Sequence, residues 1–527
     1  MDLQFPIDPN TNKASSVLFG KNVIANSLLQ VNPTAATNVL HDKQFRTITY
    51  QQHILKTLEE GVKSKENCMQ VARDGLKYVY ESMQYVQEDG SSVALKNAIT
   101  DSTKNKLVLK TKVIKGIGHR KTNTFQVPYE HKNETFQLPY LEKDHLRQQL
   151  EKWTKLGVIE PTASKSFTNF LNHELEYIEN LQNHLFVVMG AGAAMGPFKI
   201  LLDLGLNVVA IDLNRPEIWE RLIKYAQDSP GQMFFPEREK GKYGANIISE
   251  FPSIAHWLVD LHPNQPMTIG NYAYVDGGLF VKIACAQDCI SQYVYKHRTQ
   301  SETSLAYLCS PTDAFLWPKA AVDASSNAYN NRGMFAKVSN GISFDRFCKS
   351  NVEQMPNPIN GNYIIECFVT QQGPNYAIAK RIQHWRAIVA KEDDHVPVST
   401  NIAPSSSTKS VTSNSLLAAA YEGTEYFPPI EIFEPETSNH VMTAMLLNDI
   451  CDKNSVAYPN GKALSNPLYI FSEGSWHGGF FRSPFQLSSL VELSAVIGLG
   501  ERYLTSLVLG IGLVFIGSRS TLGLSRL

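Results

Sequence analysis

The stretch FVVMGAGAAMG, Phe186 to Gly196, governs how the whole chain is read. An apolar run ends in Gly190, Gly192 and Gly196, and helical spacing follows over Gly196–Leu204. Glycine at a strand-to-helix turn lets the backbone come close to a pyrophosphate. The helix start then offers free N–H groups and a positive dipole end. A second apolar run, Asn207–Ile211, ends in Asp212, 22 residues after Gly190. A carboxylate there suits the two hydroxyls of a ribose and repels a 2′-phosphate, which favours NAD over NADP. The neighbouring Arg215 pulls the other way. Strand, glycine turn, helix, second strand and acid together are far more specific than a lone glycine-rich run.

Outward from this stretch, short apolar runs alternate with helical ones, the pattern of βαβ units and a parallel sheet. The predicted strands are Leu185–Met189, Asn207–Ile211, Met267–Ile269, Ser304–Cys309, Tyr363–Val369, Val396–Asn401 and Leu468–Phe471. Gly277–Tyr295, Tyr376–Val389 and Thr437–Cys451 read as helices. The expected fold class is α/β, a Rossmann-like doubly wound parallel sheet with an additional, mostly helical N-terminal region. Residues 1–180 form that region. Within it, 51–64 and 67–84 carry helical apolar spacing, Lys106–Val113 alternates as a half-exposed strand, and Leu141–Leu156 reads as a helix ending near Gly157. Residues 181–480 form the nucleotide-binding catalytic domain, and 481–527 a tail with an apolar segment.

Tyr376-Ala-Ile-Ala-Lys380 lies on a predicted helix, where i,i+4 spacing puts phenol and ammonium on one face. A nearby cation favours the phenolate and brings the tyrosine toward working pH as a general acid or base for a carbonyl/alcohol couple. Among 22 tyrosines the spacing alone says little, but its place in the chain says more. A strand and the segment Ala403-Pro404-Ser405-Ser406-Ser407-Thr408 follow it.

In this order the landmarks resemble the short-chain dehydrogenase/reductase superfamily, over roughly residues 185–480. Met189–Gly196 is similar to that family's T-G-x-x-x-G-x-G turn, with Ala194 in place of the middle glycine and Met195 before the last. Asp212 is similar to its ribose-binding acid, Tyr376 and Lys380 to its Y-x-x-x-K pair, and Pro404 and Thr408 to its P-G-x-x-T segment. Pro435–Gly479 has the order of its last helix and strand. The resemblance implies an NAD(P)-dependent oxidoreductase that moves a hydride between a nicotinamide and a carbonyl or alcohol. Tyr376 would protonate the substrate oxygen, and Lys380 would bind the ribose hydroxyls and lower the Tyr376 pKa. Gly190, Gly192, Ala194, Met195 and Gly196 would cradle the cofactor, and Asp212 would select it. Pro404 and Thr408 would hold and orient the nicotinamide.

The sequence departs from that pattern in places. The family's serine, a little upstream of the tyrosine, falls on Tyr363, which leaves Thr370 as the catalytic hydroxyl or Gln371 as an amide donor. The N-N-A-G segment after the fourth strand is absent, and Cys309-Ser310-Pro311-Thr312-Asp313 stands in its place. Asn330 or Asn331 is the candidate for the family's helix asparagine. These departures favour, as the alternative, a catalytically inactive dinucleotide-binding scaffold or sensor. His477, in a glycine-rich loop at a sheet edge, is read first as a structural histidine and second as a substrate contact. Cys309 is read as a buried inert thiol, and Asp276 as the cap of the helix after Gly277-Gly278.

Composition narrows the partners. With 527 residues, 43% of them hydrophobic and 19% charged, the chain has ample core material and is not a disordered or coiled-coil sequence. Its 49 basic and 50 acidic residues give a net charge of −1, with no general pull on nucleic acid. A small-molecule substrate, of hydrophobic character, is the expected partner, with a homo-oligomer as an option. Seven scattered cysteines suit a reducing compartment, show no zinc spacing and predict no metal. The N-terminus lacks the basic and apolar regions of a secretory signal. Leu504–Gly517 is apolar but shorter than the roughly twenty residues a span needs, so burial is favoured over membrane contact. The last residues, Ser525-Arg526-Leu527, are similar to a peroxisomal address, so the expected location is cytoplasmic or peroxisomal.

Overall fold

The computed structural model describes residues 1–9, 11–101, 107–129, 139–298, 302–344, 346–352, 358–369 and 372–503. The segment Leu504–Gly517 and the terminal Ser525-Arg526-Leu527 lie outside the described residues, as do Thr370 and Gln371.

Six parallel strands carry the fold. They are β1 (Leu185–Met189), β2 (Asn207–Ile211), β3 (Gln232–Glu239), β4 (Met267–Asn271), β5 (Thr303–Cys309) and β6 (Val398–Ile402). In space they run β3-β2-β1-β4-β5-β6. Lys110–Lys115 and Lys242–Tyr243 pair antiparallel to β3 and complete an eight-stranded, mostly parallel sheet. Every residue of β1, β4 and β6 is buried, as expected of strands covered on both faces. Alternation along β1 sorts its side chains between two cores. Leu185, Val187 and Met189 enter one, and Phe186 and Val188 the other.

On the first face lie α1 (Lys65–Ser82), α2 (Gly278–His297) and α4 (Gly373–Glu392), and the first hundred residues share this core. The second face is covered by Lys143–Leu156, Pro161–Asn180, Pro216–Asp228 and α6 (Pro435–Cys451). Two further helices are α3 (Met334–Ile342) and α5 (Ser415–Thr424), of which α5 borders the site. The front region therefore packs directly on the sheet's own helices. At Gly75 of α1 the ring of Trp385 on α4 occupies the place a side chain would take, so only glycine lets the two helices come this close. A buried ion pair joins the same layers. Asp288 of α2 and Arg386 of α4 are each about 2% exposed, with Nε–Oδ1 at 2.7 Å and Nη2–Oδ2 at 2.9 Å. Tyr80 of α1 donates to Asp288 Oδ2 at 2.8 Å.

Two predicted strands are corrected. Tyr363–Glu366 is a strand, but it pairs antiparallel with Ala314–Trp317 outside the main sheet. Periodicity identifies a strand without identifying its partner. Leu468–Phe471 is instead the helical turn Tyr469–Ser472, started by Asn466, whose side chain accepts from the Leu468 amide at 3.0 Å. A short apolar run buried on all sides gives no period by which to separate helix from strand. The strand read over Lys106–Val113 is observed as the edge strand Lys110–Lys115. The helix read over Leu141–Leu156 spans Lys143–Leu156 and ends on Gly157 at φ +83°. Among the described residues, no helix is long and apolar enough to cross a membrane.

Candidate active site

The register aligns the carboxyl ends of the strands. Met189 of β1 faces Ile211 of β2 and Asn271 of β4, and Cys309 of β5 faces Ile402 of β6. The residues that follow therefore share one sheet edge, and a cavity of about 760 Å³ opens there. Its wall comes from the loops after β1 (Ala193–Met195), β4 (Asn271–Gly277), β5 (Ser310–Thr312) and β6 (Ala403–Thr408), closed by Tyr376 and Lys380 of α4. Such a crevice lies where successive strands leave in opposite directions, here between β1 and β4.

The glycine turn is held rigidly. Gly190 adopts φ +94°, and a Cβ there would sit 2.6 Å from the Cα of Ala273. Its amide donates to Ile211 O at 2.8 Å, while the Gly192 amide donates to Asp212 Oδ2 at 2.7 Å. Asp212 Oδ1 accepts from the Leu213 amide at 2.7 Å. The acid is thus a strut of the turn and does not itself line the cavity. Asn439 of α6 donates to Ala194 O at 2.6 Å. The amides of Ala194 and Met195 find no acceptor among the described residues, and both residues line the cavity. Gly196 lies behind them in ordinary contact with Val188. Gly190→Val is expected to cost about 2–4 kcal/mol, from a strained left-handed backbone and overpacking against Ala273. Thermal unfolding of the purified variant measures it.

Tyr376 sits in the first turn of α4, after Gly373 and Pro374 start the helix. Its ring packs edge-on to Tyr274 at 6.0 Å and tilted to Phe280 at 5.5 Å. The Ser310 side chain, on the first residue past β5, lies near enough to its hydroxyl to favour the ionised phenol. Ser310 Oγ lies 2.8 Å from Thr312 Oγ1, to which the Gln372 amide donates, so a chain of polar groups lies beside the phenol in the cavity wall. Burial raises the Tyr376 pKa above the ordinary tyrosine value, the Ser310 side chain opposes this, and nearby Asp313 reinforces it. The phenol is therefore protonated at neutral pH, a proton donor awaiting an acceptor.

Lys380, one turn further, points the same way. Its Nζ donates to Leu308 O at 3.0 Å and to Gln383 Oε1 at 3.2 Å, and lies 5.8 Å from the Tyr376 ring centre. Burial lowers its pKa. Next to it, Arg381 pairs with buried Asp313. Pro404 and Thr408 line the cavity from the β6 side. Val411, Leu417, Ala420, Phe480, Leu487 and Val491 give the lining an apolar part.

Tyr376, Lys380, Ala194, Met195, Pro404 and Thr408 are thus brought into one cavity, with Gly190, Gly192, Gly196 and Asp212 shaping the turn behind it. Sequence reasoning missed Ser310. The sequence predicts Tyr363–Val369 as the strand before α4, but the sheet strand that precedes α4 is β5, Thr303–Cys309, and the residues between form a separate unit. Cys309–Asp313 accordingly follows the fifth strand and not the fourth. The fourth strand ends at Asn271, whose Oδ1 is buried without a partner at the cavity wall. The signal was present: Ser310 directly follows an unbroken β-pattern.

Asn330 and Asn331 close the helix Lys319–Asn330 within the insertion and do not reach the cavity. Asp276 does not cap α2 but accepts from Tyr274 at 2.6 Å. His477 is fully buried and structural. Its Nδ1 accepts from the Gly479 amide at 3.0 Å, and its Nε2 lies 3.1 Å from Glu160. Burial would raise Glu160, but the hydrogen bonds from His477 and Arg482 prevail and hold it at about 2. Cys309 lines the cavity, with burial pushing its thiol up to about 12. Among the described residues, no three His, Cys, Asp or Glu side chains stand close enough to hold a metal. No model of a known protein family matches this chain, and no curated protein matches it either.

Proposed function

We propose that this chain is an NAD(P)-dependent oxidoreductase that interconverts a carbonyl and an alcohol, the activity implied by its resemblance to short-chain dehydrogenases/reductases. The observation that carries the reading is that Tyr376, Lys380 one turn away and Ser310 line the same cavity, which the glycine turn borders. The strand order β3-β2-β1-β4-β5-β6 supports it, being the order of dinucleotide-binding sheets, with the crevice at the point of reversal. The free Ala194 and Met195 amides suit a pyrophosphate, and about 760 Å³ leaves room for nicotinamide and substrate together.

Bound there, a nicotinamide supplies or accepts the hydride. Tyr376 gives its proton to the carbonyl oxygen as the alcohol forms and takes it back in the reverse direction. Ser310 holds that oxygen against the phenol, and the Ser310–Thr312–Gln372 chain fixes the Ser310 hydroxyl. Lys380 offers its ammonium to ribose hydroxyls and to the charge developing on Tyr376. Asp212 sets the turn, and Pro404 and Thr408 would border the nicotinamide. The apolar part of the lining suits a hydrophobic substrate. The alternative, an inactive scaffold or sensor, rests on the missing serine and the absent N-N-A-G segment; Ser310 in the cavity beside Tyr376 favours the active enzyme over it.

Titration of the full chain with NADH and NADPH, followed by nicotinamide fluorescence, tests the reading. Saturable enhancement with at least one of them is expected. Asp212→Ala is expected to weaken it about tenfold or more, because the Gly192 amide loses its acceptor. No enhancement with either cofactor rejects both the oxidoreductase and the sensor.

A further inference from the structure

The inserted unit between β5 and α4 carries an apolar surface that the site does not use. Helix α3 is seated by Ala336 and Asn340, which are buried, with Asn340 donating to Phe347 O at 2.9 Å. Its opposite stripe, Met334, Val338 and Ile342 at i,i+4 spacing, faces out. Met334 is 74% exposed and Ile342 76%, and Phe344 just past the helix is 93% exposed. Phe335 adds a further large exposed ring. Isolated exposed apolar residues are ordinary, but five on eleven consecutive positions form a contact surface.

Charge selects the partner. Lys337 is exposed on α3 itself, and Arg332, just before the helix, lies over the Tyr329 ring at 3.8 Å; neither makes an ion pair among the described residues. Among the described residues the nearby acids are paired: Asp323 with Lys319, and Glu492 with Arg346 at 2.6 Å. An apolar stripe flanked by cations is the pattern of a helix lying in the headgroup plane of an anionic membrane. A second copy of the chain would bring these cations together.

We propose that α3 docks this protein onto an anionic lipid bilayer, burying Met334, Phe335, Val338, Ile342 and Phe344 at the headgroup boundary. This stands on α3 and its cations alone and does not depend on the oxidoreductase reading. Flotation of the full chain with vesicles tests it, using phosphatidylcholine alone and with about 30% phosphatidylserine at low salt. The wild type is expected to float with the anionic vesicles and about tenfold less with the neutral ones. A variant combining Met334→Ser, Phe335→Ser, Ile342→Ser and Phe344→Ser is expected to lose at least about tenfold of that binding, and Lys337→Glu several-fold, on anionic vesicles only. Both substitutions are at the surface, and an unchanged thermal midpoint confirms that each variant folds. Failure of the wild type to float overturns the proposal. So does equal flotation of the four-residue variant, which would place the binding outside this surface. Self-association without vesicles that the variant abolishes assigns the stripe to a second copy and also overturns it.

Discussion

Tyr376→Phe is expected to lower carbonyl reduction at saturating cofactor by about 10³, with NAD(P)H affinity changed less than about twofold. The substitution removes one hydroxyl and leaves the ring packed on Tyr274 and Phe280. In the proposed reaction the substitution removes the proton donor, an interaction used only as the carbonyl becomes an alkoxide, so the loss falls on kcat. Ser310→Ala should cost about 10² by the same logic, because it holds the acceptor oxygen but gives no proton to it. The pH dependence carries a separate sign. Burial lifts the Tyr376 pKa above its ordinary value, so the acid form persists through neutral pH and is lost only as pH climbs past the ordinary tyrosine range. Reduction should therefore show no downward limb from this group between neutral pH and about 10, the ordinary tyrosine value. A Tyr376→Phe protein that keeps more than about a tenth of wild-type turnover would remove Tyr376 from the acid role.

Asp288→Ala is expected to destabilise the protein by about 3–5 kcal/mol, the cost of leaving a buried guanidinium without its carboxylate. Arg386 is buried on all sides, and its remaining partners are neutral, with Nη1 3.2 Å from the Tyr295 hydroxyl and Nη2 3.4 Å from that of Tyr80. The pair lies where α1, α2 and α4 meet, so the loss is felt by the front region and the sheet together. At about 2.1 cal mol⁻¹ K⁻¹ per residue for a whole-chain transition, the thermal midpoint should fall by about 3–5 °C. The pair as a whole is worth less than its halves. Asp288→Leu combined with Arg386→Met removes both charges at similar volume and should recover more than half of the loss. Scanning calorimetry of the single and double variants decides the matter. A double variant as damaged as the single one would mean that the charges themselves hold the layers together.

The sequence by itself determined the parallel core and the glycine turn. Leu185–Met189 and Asn207–Ile211 are unbroken apolar runs because both faces of those strands are covered, and Gly190 is needed where the backbone takes a positive φ against Ala273. The i,i+4 pair of Tyr376 and Lys380 was equally legible, because helix geometry alone puts them on one face. Other features depended on contacts far apart in the chain. Asp212 was readable as an acid after the second strand, but only the folded turn spends its carboxylate on the amides of Gly192 and Leu213. His477 is legible as a structural histidine in a glycine-rich loop, but only the fold supplies its partner, Glu160, more than three hundred residues away. Ser310 was hidden by the insertion that separates it from Tyr376. Hydrogen bonding along β4 and β6 fixes which strand is the fifth, and no local pattern records a strand's neighbours. Period and turn chemistry are properties of a few adjacent residues, so the sequence carries them. Partnership across a sheet is decided by which apolar faces bury one another, and that exists only once the chain is packed.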